Sequence, residues 1–94
     1  MKRKNTTGWG QYMNECVVVD TNTHLLYIGT LKNFTDDLLV MENADVHDTN
    51  DGASTKEVYI WNTRKNGVHP NRKSVMVKRD CIVSISRLAD VVEY

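Results

Sequence analysis

Histidine, cysteine and aspartate are the residues of this 94-residue chain that could support acid–base, nucleophilic or metal chemistry. The histidines His24, His47 and His69 fall on three separate segments, and the spacing of Cys16 and Cys81 is not that of a metal site. The spacing indicates no nucleophile with a neighbouring base, and the chain contains no glycine-rich phosphate loop. The sequence therefore predicts a protein that is not an enzyme and that uses no metal or cofactor.

Charge is distributed unevenly along the chain although the totals cancel, with 12 basic and 12 acidic side chains. Residues 36–57 contain seven acidic residues and one basic residue, whereas residues 58–79 contain six basic residues and no acidic residue. Two solvated surfaces that partly neutralise each other are one interpretation, and a basic edge that meets phosphate or an acidic partner is the other. The adjacent Asp36 and Asp37 are explained by a turn, because aspartate hydrogen-bonds its own backbone.

The length of the chain predicts one domain with a shallow core. Cys16 and Cys81 lie in apolar runs, which indicates buried free thiols in a reducing compartment. No apolar run approaches the length of a membrane span, and the basic residues 2–4 are not followed by the apolar region of a signal peptide. We therefore expect an intracellular protein, in the nucleus or the cytoplasm, with no membrane partner and with a disordered basic tail at residues 1–7.

Short apolar runs separated by polar turns predict a sheet. The strand that begins at Leu25 contains Gly29, which indicates a sharp bend or a close approach of two backbones. Residues 33–37 turn the chain, and a second strand runs from Leu38 towards Val46. Further strands are predicted at 16–19, 57–61, 74–78 and 81–85, and a helical turn within 8–15 lays Trp9 and Tyr12 on the sheet. Residues 8–94 are therefore predicted to form a small, strongly bent, five-stranded antiparallel barrel of the SH3-like type, all-β apart from that short helix.

Two stretches of the sequence resemble the signatures of the Sm/LSm family. Gly29-Thr30-Leu31-Lys32, followed by Phe34, Asp36 and an apolar strand, is similar to the first signature, which runs Gly-x-Leu, Asp and Met-Asn. Residues 75–85, VMVKRDCIVSI, are similar to the second, an apolar strand ending in Ile-Arg-Gly before a closing strand. The resemblance covers residues 16–85 and implies the Sm-like barrel, in which one variable loop joins the third and fourth strands. Here residues 47–73 take that place and are predicted to form an extended arm that contains the strand 57–61. The arm either lengthens the hairpin of the third and fourth strands or forms an insert.

The resemblance also implies a slot that binds one RNA base in each subunit of a ring. An aromatic residue or histidine stacks on the base, an asparagine bonds its edge, and an arginine closes the slot. In this chain Asp37 stands at the stacking position, Leu39 at the asparagine and Lys78 at the arginine. A carboxylate has no stacking face and repels phosphate, and lysine lacks the planar fork of arginine. RNA contact is therefore expected to be weak and mainly electrostatic, with the candidate residues Phe34, Asp36, Asp37, Lys78 and Arg79.

Assembly is the second property that the resemblance implies, because Sm-like subunits close rings by pairing the strand edges of neighbouring barrels. The candidate interface residues are Val75, Met76, Val77, Ile82 and Val83. The expected partners are other Sm-like subunits in a homomeric or heteromeric ring, and RNA. The function expected from the resemblance is a divergent Sm-like subunit that acts by assembly in a ribonucleoprotein or RNA-processing complex, such as one of mRNA processing.

A protein-interaction module of the SH3 or Tudor type, with no RNA role, is the alternative. Five of the seven aromatic residues of this chain could in principle form a cage for a methylated side chain, although aromatic residues at strand positions more often belong to a core. These residues are Trp9, Tyr12, Phe34, Tyr59 and Trp61. The mass of the protein in solution distinguishes the two functions, because a ring of several subunits is several times heavier than a monomer.

Overall fold

The computed structural model describes residues 8–52 and 54–93, so the tail predicted at residues 1–7 lies outside the described residues. One antiparallel sheet has the strand order β4-β3-β2-β1-β5. Its strands are β1 (Cys16–Thr21), β2 (Leu25–Phe34), β3 (Leu38–Asp48), β4 (Arg72–Lys78) and β5 (Ile82–Arg87). The predicted all-β fold, a small five-stranded antiparallel barrel, is confirmed. Among the described residues no ladder joins β4 to β5, so the barrel is open between these two strands.

The bend of the sheet lies in the two long strands β2 and β3, at Gly29. The register between these strands shifts between Ile28 and Thr30, and Asn43 on β3 has a positive φ of 50°. A Cβ atom on Gly29 would lie 2.8 Å from the Ala44 Cα, a distance that side chains do not tolerate. The sequence-based prediction of a close backbone approach at Gly29 is therefore confirmed.

The inner face of the sheet carries the larger apolar cluster. Leu31, Leu39 and Met41 are fully buried there together with Val17 and Val19. A turn of 3-10 helix at Gly8–Tyr12 packs its aromatic side chains against this cluster, which confirms the helical turn predicted within residues 8–15.

Helix α1 (Lys56–Asn66) lies where a strand was predicted, so the prediction of a strand at 57–61 was wrong. Thr55 begins the helix, because its hydroxyl accepts a hydrogen bond from the Val58 N–H at 3.2 Å. Gly67 ends the helix with a φ of 94°, which favours glycine. The residues Val58 to Trp61 favour strands intrinsically, but the two caps and the packing of α1 on the sheet override that weak preference.

The outer face of the sheet has a second, smaller apolar cluster of Val18, Leu26 and Ile28. Tyr59 and Ile60 of α1 cover it, together with residues of the C-terminal segment 88–93, which begins with a 3-10 turn at Leu88–Asp90. The segment 47–73 therefore contains the end of β3, helix α1 as a packed insert, and the start of β4. Within the described residues no helix is long and apolar enough to cross a membrane.

Asn71 fastens the end of this insert to β3. Its backbone N–H donates to the Ala44 carbonyl at 2.9 Å. Its side-chain amide accepts from the Val46 N–H and donates to the Val46 carbonyl, both at 3.0 Å. The chain is thus already in register with β3 when β4 begins at Arg72.

Candidate functional site

The β2–β3 turn and the β4–β5 connection meet at one end of the barrel. The Arg79 backbone N–H donates to the Asp37 carbonyl at 2.9 Å, and the Arg79 guanidinium donates to the Thr35 carbonyl. The Thr35 hydroxyl stabilises the turn by accepting from the N–H groups of Asp37 and Leu38, at 3.2 and 3.1 Å. The structure therefore brings the five candidate RNA-binding residues to the same end of the molecule.

A small cleft of about 190 Å³ at this end is lined by Asp36, Asp37, Lys78 and Asp80. Three carboxylates and one ammonium group give the cleft a net negative charge. Like charges repel, so these carboxylates oppose the approach of a phosphate group. The cleft therefore disfavours a phosphate backbone, in agreement with the expectation from the residue types.

Arg79 and Phe34, the remaining two candidates, are engaged within the protein. The Arg79 guanidinium lies 4.7 Å from the centroid of the Trp9 ring, in a cation–π contact. Phe34 packs against the inner apolar cluster. Leu39, at the asparagine position of the family signature, is fully buried and cannot reach a base. Both candidates therefore have contacts within the protein. The sequence did not predict the contact between Arg79 and Trp9.

The outer edges of β4 and β5 form the second candidate site. Each of these strands has one neighbour in the sheet, so one edge of each is unpaired within the described residues. Met76 on β4 is 63% exposed and Val83 on β5 is 64% exposed. By contrast, Val77 is buried, and Val75 and Ile82 pack against the inner cluster. Of the five predicted interface residues, two are therefore exposed at the edges and three stabilise the barrel.

The backbone of Met76 points towards the unpaired edge of β4. Met76 lies opposite Val40, and Val77 lies opposite Leu39. In the same register the Arg79 N–H bonds to the Asp37 carbonyl, so Arg79 is one of the residues whose backbone groups point to β3. In an antiparallel ladder the backbone groups of successive residues alternate between the two sides. Val77 therefore bonds to β3, whereas the N–H and carbonyl of Met76 are available to a further strand.

A bulge divides the edge of β5. Thr21 of β1 pairs with Ile82 and Asp20 pairs with Ser84, so Val83 has no direct partner. Bulges bend a strand and interrupt regular pairing. The regular part of the β5 edge is therefore Ser84–Arg87.

A polar cluster joins α1 to β3 on the outer face. The Tyr59 ring stacks on His47 with centroids 3.6 Å apart, and the Tyr59 hydroxyl donates to the buried Asp45 carboxylate. Burial and this hydrogen bond raise the pKa of Tyr59 to about 12. Because the raised pKa keeps the hydroxyl protonated, it remains a donor to Asp45 and attaches α1 to β3. Sequence reasoning missed the cluster, because it connects β3 to a helix that had been predicted as a strand.

Two further features concern titratable side chains, the His24–Asp48 pair and the two cysteines. The His24 Nδ1 atom lies 2.7 Å from the Asp48 Oδ1 atom. The hydrogen bond that Asp48 accepts from the Asn50 N–H lowers the pKa of Asp48. Cys16 and Cys81 are partly buried free thiols, and burial raises the pKa of Cys16. Within residues 8–52 and 54–93, no group of three His, Cys, Asp or Glu residues could hold a metal ion.

The five aromatic residues considered for a cage do not surround a common space. Trp9, Tyr12 and Phe34 pack against the inner cluster, whereas Tyr59 covers the outer one. Trp61 lines a separate cleft on α1 with Val58. The aromatic cage considered for a Tudor-like module is therefore not formed by these residues.

Comparison with known proteins finds no matching family model and no matching curated protein.

Proposed function

We propose that this chain is a divergent Sm-like subunit that acts by assembly, within a ribonucleoprotein or RNA-processing complex. The observation that supports this proposal is the open barrel, in which the first and last strands of the sheet order each have an unpaired edge. The β4 edge of one subunit pairs with the β5 edge of the next. Such a contact joins two different surfaces, and its repetition gives a ring if the rotation between neighbours closes.

Backbone hydrogen bonds at such an edge supply affinity, and the side chains supply specificity. The backbone groups of Met76 point away from β3, and its side chain is among the most exposed apolar groups of the described chain. Basic residues at both ends of β4 limit uncontrolled pairing of this edge, as charges do in other edge strands. The central part of β4 is therefore both able to pair and protected from unselective association.

RNA contact in this proposal is electrostatic and secondary to assembly. Arg72 and Lys73 are exposed, and neither forms an ion pair with a carboxylate of the described residues. The acidic cleft and the engagement of Arg79 oppose base-specific binding at the other end of β4. The alternative, an interaction module without an RNA role, would use the same free edges as a monomer that binds a foreign strand.

The mass in solution tests this proposal. We expect light scattering to give several times the monomer mass of 10.8 kDa, with little change over a range of protein concentrations. Met76→Pro removes an edge donor and should lower the mass to that of a monomer, because proline cannot donate to a neighbouring strand. The circular dichroism of the variant should remain that of the wild type. A wild-type protein that is monomeric at high concentration would contradict the proposal and favour the interaction module.

A further inference from the structure

A cleft of about 150 Å³ lies where the C-terminal end of α1 approaches β3 on the outer face of the sheet. The buried Asp45 of β3 lines this cleft, and so do three exposed residues, Asn62, Asn66 and His69. The side chains of these three make no hydrogen bond with a described residue. Carboxamide groups contain both donors and an acceptor. The cleft therefore presents unused hydrogen-bonding groups above a buried carboxylate.

The two asparagines of the cleft lie on one face of α1. Asn62 and Asn66 are four residues apart, which places them one above the other on the helix surface. Lys65 follows Asn62 by three residues and lies on the same side. Arg64 is two residues from each asparagine and does not face them. Lys65 therefore adds a positive charge to the rim of the cleft, whereas the equally exposed Arg64 lies outside that rim.

The start of β4 supplies further positive charge on the other side of the cleft. The Asn71 amide nitrogen lies 3.5 Å from an Asp45 carboxylate oxygen, and the Arg72 guanidinium donates to the Asn71 carbonyl at 3.1 Å. Arg72 and Lys73 are exposed, and neither forms an ion pair with a described carboxylate. The rim of the cleft is therefore positive both at α1 and at β4.

The interior of the cleft has the opposite character. Asp45 is 5% exposed, its carboxylate accepts a hydrogen bond from the Tyr59 hydroxyl, and no described basic side chain pairs with it. An anionic group would be repelled from this interior, whereas a neutral polar group could bond Asn62 and Asn66. The cleft therefore suits a neutral hydrogen-bonding group with a negative charge on either side of it.

An unpaired nucleotide has this distribution of charge. Its base is neutral, planar and polar at its edges, and the phosphates on its two sides are negative. An acidic peptide has its charge on the side chains themselves, and a carboxylate that entered the cleft would approach the carboxylate of Asp45. A duplex keeps the edges of its bases paired and stacked, out of reach of a cleft on a protein surface. The geometry therefore favours a single strand over both of these ligands.

We propose that this cleft binds one unpaired base of a single-stranded RNA, with the adjacent phosphates at Lys65 and Arg72. The inference rests on the RNA contact of the proposed function and places that contact away from the slot implied by the Sm/LSm resemblance. Asn62 and Asn66 bond the edge of the base, and the ring of His69 stacks on it. A carboxamide can rotate to offer either a donor or an acceptor, so the cleft accepts any base type.

Titrations of the full chain with labelled oligonucleotides at low salt test the need for an unpaired base. Oligo-U should bind several-fold more tightly than a duplex of oligo-U and oligo-A of the same length, although the duplex has the higher charge density. Equal or tighter binding of the duplex would overturn the base contact. Poly-glutamate should compete poorly with oligo-U. Competition as effective as that of unlabelled oligo-U would overturn the proposal in favour of an acidic protein partner.

Substitutions separate the base contact from the phosphate contact. Asn62→Ala with Asn66→Ala should lower the affinity for oligo-U roughly tenfold, because two neutral hydrogen bonds are lost. The salt dependence should not change, since no phosphate contact is removed. Lys65→Ala should lower the affinity and reduce the slope of log K against log salt by about 0.7, the value for one phosphate of a single strand. Arg64→Ala is the matched control and should leave that slope unchanged.

Each of these results can contradict the proposal. All four residues are exposed helix positions where alanine is well tolerated, so circular dichroism should show folded variants. An unchanged affinity in the double asparagine variant would overturn the base contact. Equal changes of slope in Lys65→Ala and Arg64→Ala would overturn the placement of a phosphate at the rim.

Light scattering on the same samples separates this inference from the assembly function. The variants should have the mass of the wild type, because the cleft lies away from the edges of β4 and β5. A wild type that assembles but binds no oligonucleotide at low salt would overturn the cleft and leave the assembly function in place. A monomeric wild type whose binding of oligo-U depends on Asn62 and Asn66 would overturn the assembly function and leave the cleft.

Discussion

The hydroxyl of Tyr59 on α1 donates a hydrogen bond to the carboxylate of Asp45 on β3. Asp45 is 5% exposed, and its other oxygen lies 3.5 Å from the Asn71 amide nitrogen. A buried carboxylate is costly unless donors surround it, and Tyr59 is the nearer of these two side-chain donors. This single bond therefore both satisfies a buried charge and attaches the helix to the barrel.

Removing that hydroxyl should destabilise the protein. Tyr59→Phe is expected to lower the free energy of unfolding by roughly 1.5–3 kcal/mol, the range for hydrogen bonds to charged groups. Urea denaturation followed by circular dichroism measures the change. Tyr27→Phe is the control, because the Tyr27 hydroxyl makes no hydrogen bond with a described residue and its loss should cost little. Equal losses in the two variants would show that the bond to Asp45 contributes nothing.

Stability should also fall at alkaline pH. The ordinary pKa of tyrosine is 10.0, and burial together with the bond to Asp45 raises that of Tyr59 to about 12. The folded state therefore holds this proton more tightly than the unfolded state, and the resulting stabilisation is complete below pH 10. It should be lost as the pH rises through the folded pKa. Phenolate absorbance should show a titration phase near pH 12 that is absent in Tyr59→Phe.

The close approach of Gly29 to Ala44 makes a further substitution informative. Gly29→Ala places a methyl group 2.8 Å from the Ala44 Cα, so the backbones of β2 and β3 must separate. We expect a loss of about 1–3 kcal/mol in the free energy of unfolding, as for other overpacked sites. Gly52→Ala is the control, since the nearest atom to its added methyl group is 4.0 Å away. A neutral Gly29→Ala would mean that the two strands can separate at little cost.

RNA binding should be sensitive to salt and indifferent to sequence. Contacts made by exposed Arg72 and Lys73 are with phosphate, so affinity should fall steeply with a few-fold rise in salt. Titration of labelled oligo-U, oligo-A and oligo-C should give nearly equal affinities, and Arg72→Ala with Lys73→Ala should lower all of them alike. Replacement of Lys78 and Arg79 should have less effect, because three carboxylates line the cleft around Lys78 and Arg79 contacts Trp9 and Thr35. A salt-resistant preference for uridine would contradict this prediction.

The barrel was predictable because its strands are short apolar runs between polar turns, and because Gly29 marks the bend. Helix α1 was not, since Val58 to Trp61 favour strands and the helix is stabilised by caps and tertiary packing. A signal was nevertheless present. Val17, Val18 and Val19 are consecutive and all buried, and such runs occur in strands whose two faces are both covered. This run indicated that a further element covers the outer face, and Thr55 and Gly67 mark the beginning and the end of that element, helix α1.

The sequence could predict which strands and turns supply the candidate residues, but not the tertiary contacts that these residues make. Residues 34–37 and 78–79, which the resemblance assigns to one slot, lie at the same end of the barrel. The contact of Arg79 with Trp9 and that of Tyr59 with Asp45 depend on how an N-terminal turn and an insert fold back on the sheet. Strand periodicity contains no information about such contacts.

Asn71 acts as a surrogate peptide group, because its amide offers Val46 the same donor and acceptor that a paired backbone residue would. The β3–β4 ladder is thus extended by a side chain one step before the strand itself begins. An isosteric aspartate at this position could not reproduce the effect, since it has no amide donor and would place a second negative charge near Asp45. The insert can therefore vary in length and shape while its last residue continues to set the alignment of the strand that follows.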